Sequence, residues 1–173
     1  MPSPLDLYRS TGADLPFGDP LPAHGVASEG YFWRFSHAET GRSLTASIGV
    51  NRTGEHTWSA VTFAAHPNGV IRTEVSDGGV ADPQVLGANV GTLFSGDNDR
   101  VQADLGAGAQ LDARITDHRL WPRRAFGGAS FFQSVPGVAQ RWHPWLFGGT
   151  VTGTARVGDE TWDLADFEVY AEK

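Results

Sequence analysis

Between Ser43 and Val50 apolar and small polar side chains alternate, with Leu44, Ala46, Ile48 and Val50 on one face and serines, threonine and glycine on the other. A two-residue period is the mark of a half-buried strand. The preceding run Gly30-Tyr31-Phe32-Trp33-Arg34-Phe35 is aromatic and ends at the turn-like Glu39-Thr40-Gly41, which predicts a strand and a hairpin. Asn51-Arg52-Thr53-Gly54 is expected to close the second strand. It matches a glycosylation sequon, but turn chemistry explains it in a chain without a secretion signal.

Short strands are predicted over residues 58–65 and 70–75, separated by His66-Pro67-Asn68-Gly69. Residues 77–91, rich in Gly, Asp and Pro, read as a loop. Strands over 92–95, 100–105 and 110–116 follow, turning at Gly96-Asp97-Asn98 and Gly106-Ala107-Gly108. A last hairpin is predicted to pair 149–157 with a single strand over 161–172. Few segments carry the 3.6-residue period of a surface helix. The expected fold is all-β and antiparallel, a barrel or strongly curved sandwich with hairpin connections.

Two stretches depart from this pattern. Residues 1–28 hold Pro2, Pro4, Pro16, Pro20 and Pro22 and read as an extended leader, so the β-domain is expected over 29–173. Residues 121–149 concentrate Trp121, Phe126, Phe131, Phe132, Trp142, Trp145 and Phe147. Any one of these rings is explained by core packing; together they suggest a pocket wall as well.

Composition narrows the chemistry. The 173 residues suit one domain large enough to hold its own core, and the absence of cysteine excludes disulfides, thiolate metal ligation and cysteine nucleophiles. The net charge of −7 and the lack of a basic stripe argue against nucleic acid as a partner. No signal-peptide core and no apolar run near the ~20 residues needed to span a bilayer occurs, so a soluble, cytoplasmic protein is expected. The six histidines lack metal-ligand spacing, and no phosphate loop, dinucleotide fingerprint or nucleophile elbow is present. Neither a metal nor a cofactor is expected.

Two features remain as candidate chemistry. His143 lies between Trp142 and Pro144-Trp145, where an imidazole with a tuned pKa can act as acid or base; a structural histidine in a loop is the competing reading. At the C-terminal strand, Asp166, Glu168, Tyr170 and Glu172 share one face and Phe167, Val169, Ala171 and Lys173 the other. The polar face is either a solvated exterior or the lining of a barrel, where burial raises a carboxyl pKa toward proton donation.

Two segments resemble the tocopherol cyclase-like family. Glu29-Gly30-Tyr31-Phe32-Trp33 is similar to its Glu-Gly-Trp-Tyr-Phe opening, with the aromatic order changed. Phe131-Phe132-Gln133-Ser134-Val135-Pro136-Gly137, Trp142-His143-Pro144, Gly148-Gly149 and Tyr170-Ala171-Glu172-Lys173 follow the order of its central block. Carotenoid hydratases share related central motifs. The resemblance implies a lipocalin-like β-domain, the N-terminal half of a two-half architecture, since the family motif continues beyond Lys173. It implies protonation of a prenyl double bond, followed by ring closure in a cyclase or by water addition in a hydratase. Glu172 and Tyr170 become the acid candidates, His143 a proton relay, and Trp33, Phe131, Trp142, Trp145 and Phe147 the ligand-lining rings. Lys173 either polarises a neighbouring carboxyl or pairs with it. The implied partner is a hydrophobic isoprenoid or prenyl lipid, with transient membrane-surface contact and a partner domain or second copy completing the barrel as further expectations. A carrier that binds such a ligand unchanged is the alternative, and a fragment that associates through an exposed barrel edge is another.

Overall fold

Because side chains of a strand point alternately to opposite faces, the period-two segments of this chain each carry one apolar face that must be covered. In the computed structural model, which describes residues 1–4, 6–7, 27–81, 86–121, 135 and 142–173, two antiparallel sheets cover those faces mutually. The strands, in order, are β1 (Ser28–His37), β2 (Arg42–Thr53), β3 (His56–His66), β4 (Val70–Asp77), β5 (Val80–Ala81), β6 (Ala88–Val90) and β7 (Phe94–Gly96). They continue with β8 (Arg100–Asp104), β9 (Ala109–Thr116), β10 (Pro144–Leu146), β11 (Thr150–Val157), β12 (Glu160–Asp163) and β13 (Glu168–Glu172). One sheet has the order β10-β13-β1-β2-β3-β4 and the other β12-β11-β9-β8-β7-β6-β5. Among the described residues no ladder joins the two sheets, so the fold is the curved sandwich and not a closed barrel. No helix among the described residues is long and apolar enough to cross a membrane.

The alternation expected over 43–50 is present in β2, and β1 and β3 bury every second residue in the same way. Tyr31, Trp33 and Phe35 of β1, Leu44, Ala46, Ile48 and Val50 of β2, and Val61 and Phe63 of β3 are buried. They pack against Phe94, Val101, Leu111, Ile115, Val151 and Trp162 of the second sheet in one continuous core. The Trp33 ring meets Phe94 across the sandwich with centroids 5.7 Å apart, and its indole N–H donates to the Asp97 carbonyl at 3.2 Å. Burying each such ring contributes roughly 2–3 kcal/mol of transfer free energy.

The structure corrects several boundaries. Residues 51–53 continue β2, and the chain turns at Gly54 and Glu55. Residues 77–91 are not all loop, for β5 and β6 lie within them, paired through Val80↔Asn89 and Ala81↔Ala88. The stretch 161–172 is two strands in different sheets. The Asp163 carboxylate accepts the Ala165 N–H at 3.0 Å, Phe167 N–H donates to the Leu164 carbonyl, and Asp166 adopts φ 67°. An aspartate bonded to the backbone two residues on makes a turn, and aspartate tolerates the left-handed region. That turn carries the chain from β12, paired with β11, to β13, paired with β1 and β10.

Candidate functional site

The ends of β1, β13 and β10 bring together three of the motifs that carry the family resemblance, those at Glu29–Trp33, Trp142–Pro144 and Tyr170–Lys173. β13 lies antiparallel to β1 with Phe32 opposite Glu172 and Trp33 opposite Ala171. The ladder continues past β10, where the His143 N–H donates to the Lys173 carbonyl at 2.8 Å and the Lys173 N–H to the His143 carbonyl at 2.9 Å. From this junction side chains go alternately into the sandwich and out of it, so the chemistry divides into two groups.

The inner group is built on a buried ion pair. Glu29 is in phase with Tyr31, Trp33 and Phe35, and Lys173 with Val169 and Ala171. Their side chains are 6% and 8% exposed, with Lys173 Nζ 2.8 Å from Glu29 Oε1. The Tyr31 hydroxyl donates to the same oxygen at 2.8 Å. Charges at this depth need both a counter-ion and further hydrogen bonds, and Glu29 has both. The Lys173 ammonium also stands 5.8 Å from the Tyr31 ring centroid. His143 is buried beside this group, and desolvation, then the Lys173 charge, lowers its pKa to about 4. It is a neutral imidazole at physiological pH. Trp33 and Trp145 complete the group, the first stacked on Tyr31 at 6.1 Å and the second edge-on to it at 6.0 Å; the Trp145 indole N–H donates to Asn98 Oδ1.

The outer group is centred on Glu172. The Tyr170 hydroxyl donates to Glu172 Oε2 at 2.6 Å and the Trp142 indole N–H donates to the same oxygen at 2.7 Å. Burial, then the bond and charge of Glu172, raises the Tyr170 pKa and keeps the phenol protonated. Phe147 packs edge-on to Tyr170 at 5.5 Å and against Trp121 at 4.7 Å. Trp142 and Phe147 are 45% and 43% exposed, so this is an open aromatic shelf. Beside it lies a depression of about 360 Å³ lined by Gly30, Phe32, Ser47, Gly49, Glu172 and Lys173. Gly30 stands directly opposite Gly49, so backbone forms part of its floor.

The structure therefore brings Glu172, Tyr170, Trp142 and Phe147 together on the outside, and places His143, Trp33 and Trp145 inside, across β13. Phe131 lies outside the described residues. Lys173 pairs with Glu29 and not with its sequence neighbour Glu172, because adjacent strand residues face opposite ways. Glu29 and Tyr31 were not among the expected site residues. The signal for Glu29 was its phase, two residues ahead of Tyr31 on the apolar face of the strand.

No family model matches the sequence, and no curated protein does. Among solved structures, the fold is similar to the crystal structure of kievitone hydratase from Nectria haematococca, with a TM-score of 0.52 at 9% sequence identity. The match covers 94% of this chain and 52% of that one, so the chain spans about half the length of that structure. At this identity the shared property is the lipocalin-like β-fold. The lipocalin-like β-fold that the resemblance implies is found, and no comparison shows tocopherol cyclase-like membership.

Proposed function

We propose that this chain is a hydratase-like domain that adds water across a double bond of a hydrophobic small molecule, with Glu172 as its proton-handling carboxyl. The observation that carries the reading is the convergence of the Tyr170 hydroxyl and the Trp142 indole N–H on one oxygen of Glu172, beside an open aromatic shelf. The similarity in fold to a hydratase supports water addition over ring closure.

In this scheme the Glu172 carboxyl, having taken up a proton from water, passes it to one alkene carbon, and the adjacent carbon becomes cationic. The faces of Trp142 and Phe147 stabilise that charge. The Tyr170 and Trp142 donors stabilise the carboxylate that has just lost its proton. Water bonds to the cationic carbon and returns a proton to Glu172, so that one alkene and one water become one alcohol. The depression floored by Gly30 and Gly49 gives the ligand a place to lie, since glycine within a strand marks close approach of a ligand or another backbone. A second lipocalin-like half closing over this face is part of the proposal, because water must be rationed at a cation and the shelf is open here.

The test is incubation of the purified chain with a prenylated hydroquinone in oxygen-18 water, followed by mass spectrometry. A product carrying one labelled oxygen supports hydration, and its loss in Glu172→Gln with ligand binding retained supports the role of Glu172. A ring-closed isomer without label is the cyclase outcome. Unchanged ligand recovered on the protein identifies a carrier and overturns the catalytic reading.

A further inference from the structure

β4 ends its sheet, and no described strand pairs with its outer edge. From Ile71 to Val75 it is also exposed on both faces. On β3 the inward row Val61 and Phe63 is fully buried, whereas their β4 partners Glu74 and Arg72 are exposed. The outward row is no better covered, since Ile71 and Val75 are 65% and 67% exposed. β4 thus overhangs the second sheet as a regular strand, paired without a break to β3 from Val70 to Asp77 and containing neither proline nor a bulge. An edge of this kind is a template for another strand.

Its residue order says which strand. In an antiparallel pair of two β4 strands centred on Thr73, Arg72 faces Glu74 of the other copy and Glu74 faces its Arg72. Ile71 faces Val75 on the opposite side of the sheet in the same register. Arg72 and Glu74 form no ion pair among the described residues, so each charge is left for a partner. The backbone agrees with this register. The Gly78 N–H donates to the Thr57 carbonyl, so by strand alternation the polar groups of Ile71, Thr73 and Val75 point away from β3. The Arg72 guanidinium reaches the Ile71 carbonyl at 3.2 Å, as befits an oxygen without a ladder partner.

We propose that β4 is a homodimer interface: two copies of this chain join edge to edge about a two-fold axis through Thr73, merging their six-stranded sheets. A two-fold contact must be self-complementary, and the sequence Ile71-Arg72-Thr73-Glu74-Val75 is so in both charge and apolarity. The interface uses a different edge from the Glu172 site and stands independently of the proposed reaction.

Sedimentation equilibrium of the full chain over a concentration series tests it, with a monomer–dimer equilibrium expected. Arg72→Glu or Glu74→Arg alone sets like charges opposite each other twice per dimer and weakens association about tenfold. The double variant Arg72→Glu/Glu74→Arg restores it, because the swapped pair is again self-complementary. Thr73→Pro removes a free-edge N–H and abolishes the dimer while the circular dichroism of the monomer is retained. As a measurement needing no variant, hydrogen exchange at Ile71, Thr73 and Val75 slows as protein concentration rises. A chain that is monomeric at every concentration overturns the proposal. So does a dimer that the double swap fails to restore, or one whose formation leaves exchange at those three amides unchanged.

Discussion

Lys173 Nζ lies 2.8 Å from Glu29 Oε1 inside the sandwich, tying the end of β13 to the start of β1. Removing one partner leaves the other charge buried without its counter-ion. Lys173→Met is expected to cost about 3–5 kcal/mol in denaturant unfolding. Glu29→Leu combined with Lys173→Met is expected to recover most of that loss, because an apolar pair of similar volume replaces both desolvated charges. A double variant as unstable as the single one would show that the pair's geometry, and not its charge balance, holds the strands.

His143 makes stability depend on pH. Its folded pKa of about 4 lies below the ordinary value of 6.5, so between those limits the unfolded chain binds more protons than the folded one. Stability from this group therefore falls as pH drops from about 6.5 to about 4, by about 3 kcal/mol in total, and no further below that. The causes are burial and the neighbouring Lys173 ammonium. In His143→Gln this part of the acid slope disappears, which urea titrations at a series of pH values read directly.

Glu172 is only partly buried and lies on the outer face, so its role separates from folding. Glu172→Gln is expected to change stability by less than about 1 kcal/mol, and to lower turnover at least about 100-fold. Tyr170→Phe removes one of the two donors to Glu172 Oε2 and is expected to lower turnover less, because Trp142 still donates. Thermal melts run beside the turnover assay distinguish these losses from unfolding.

Gly153 of β11 has φ +122°, and a Cβ there would run into the Asp112 carbonyl oxygen of β9. Backbone cannot yield as a flexible side chain does. Gly153→Ala is expected to destabilise the chain by about 2–3 kcal/mol, seen as a lower denaturant midpoint with an unchanged slope.

The inner face of β2 was legible from the alternation of its residues, and most hairpins from their glycines. Short β5 and β6 were not, because two or three residues are too few to show a period. The split at Asp166 shows in the sequence only as a shift of phase, from Trp162 and Leu164 before the turn to Phe167, Val169 and Ala171 after it, and a phase shift alone does not say that the chain changes sheets. At the site, the aromatic residues around His143 were visible as a group, but not that Trp142 and His143 separate to opposite faces.

What the sequence determined by itself was which side chains share a face: Glu29 with Tyr31, Trp33 and Phe35; Tyr170 with Glu172; Lys173 with Ala171 and Val169. Only the tertiary structure decided which of those faces is interior. The period of a strand follows from local backbone geometry, whereas burial depends on the second sheet covering one side of it. Once β13 paired with β1, the face bearing Lys173 turned toward the core and met Glu29, and the face bearing Glu172 was left to the open aromatic shelf.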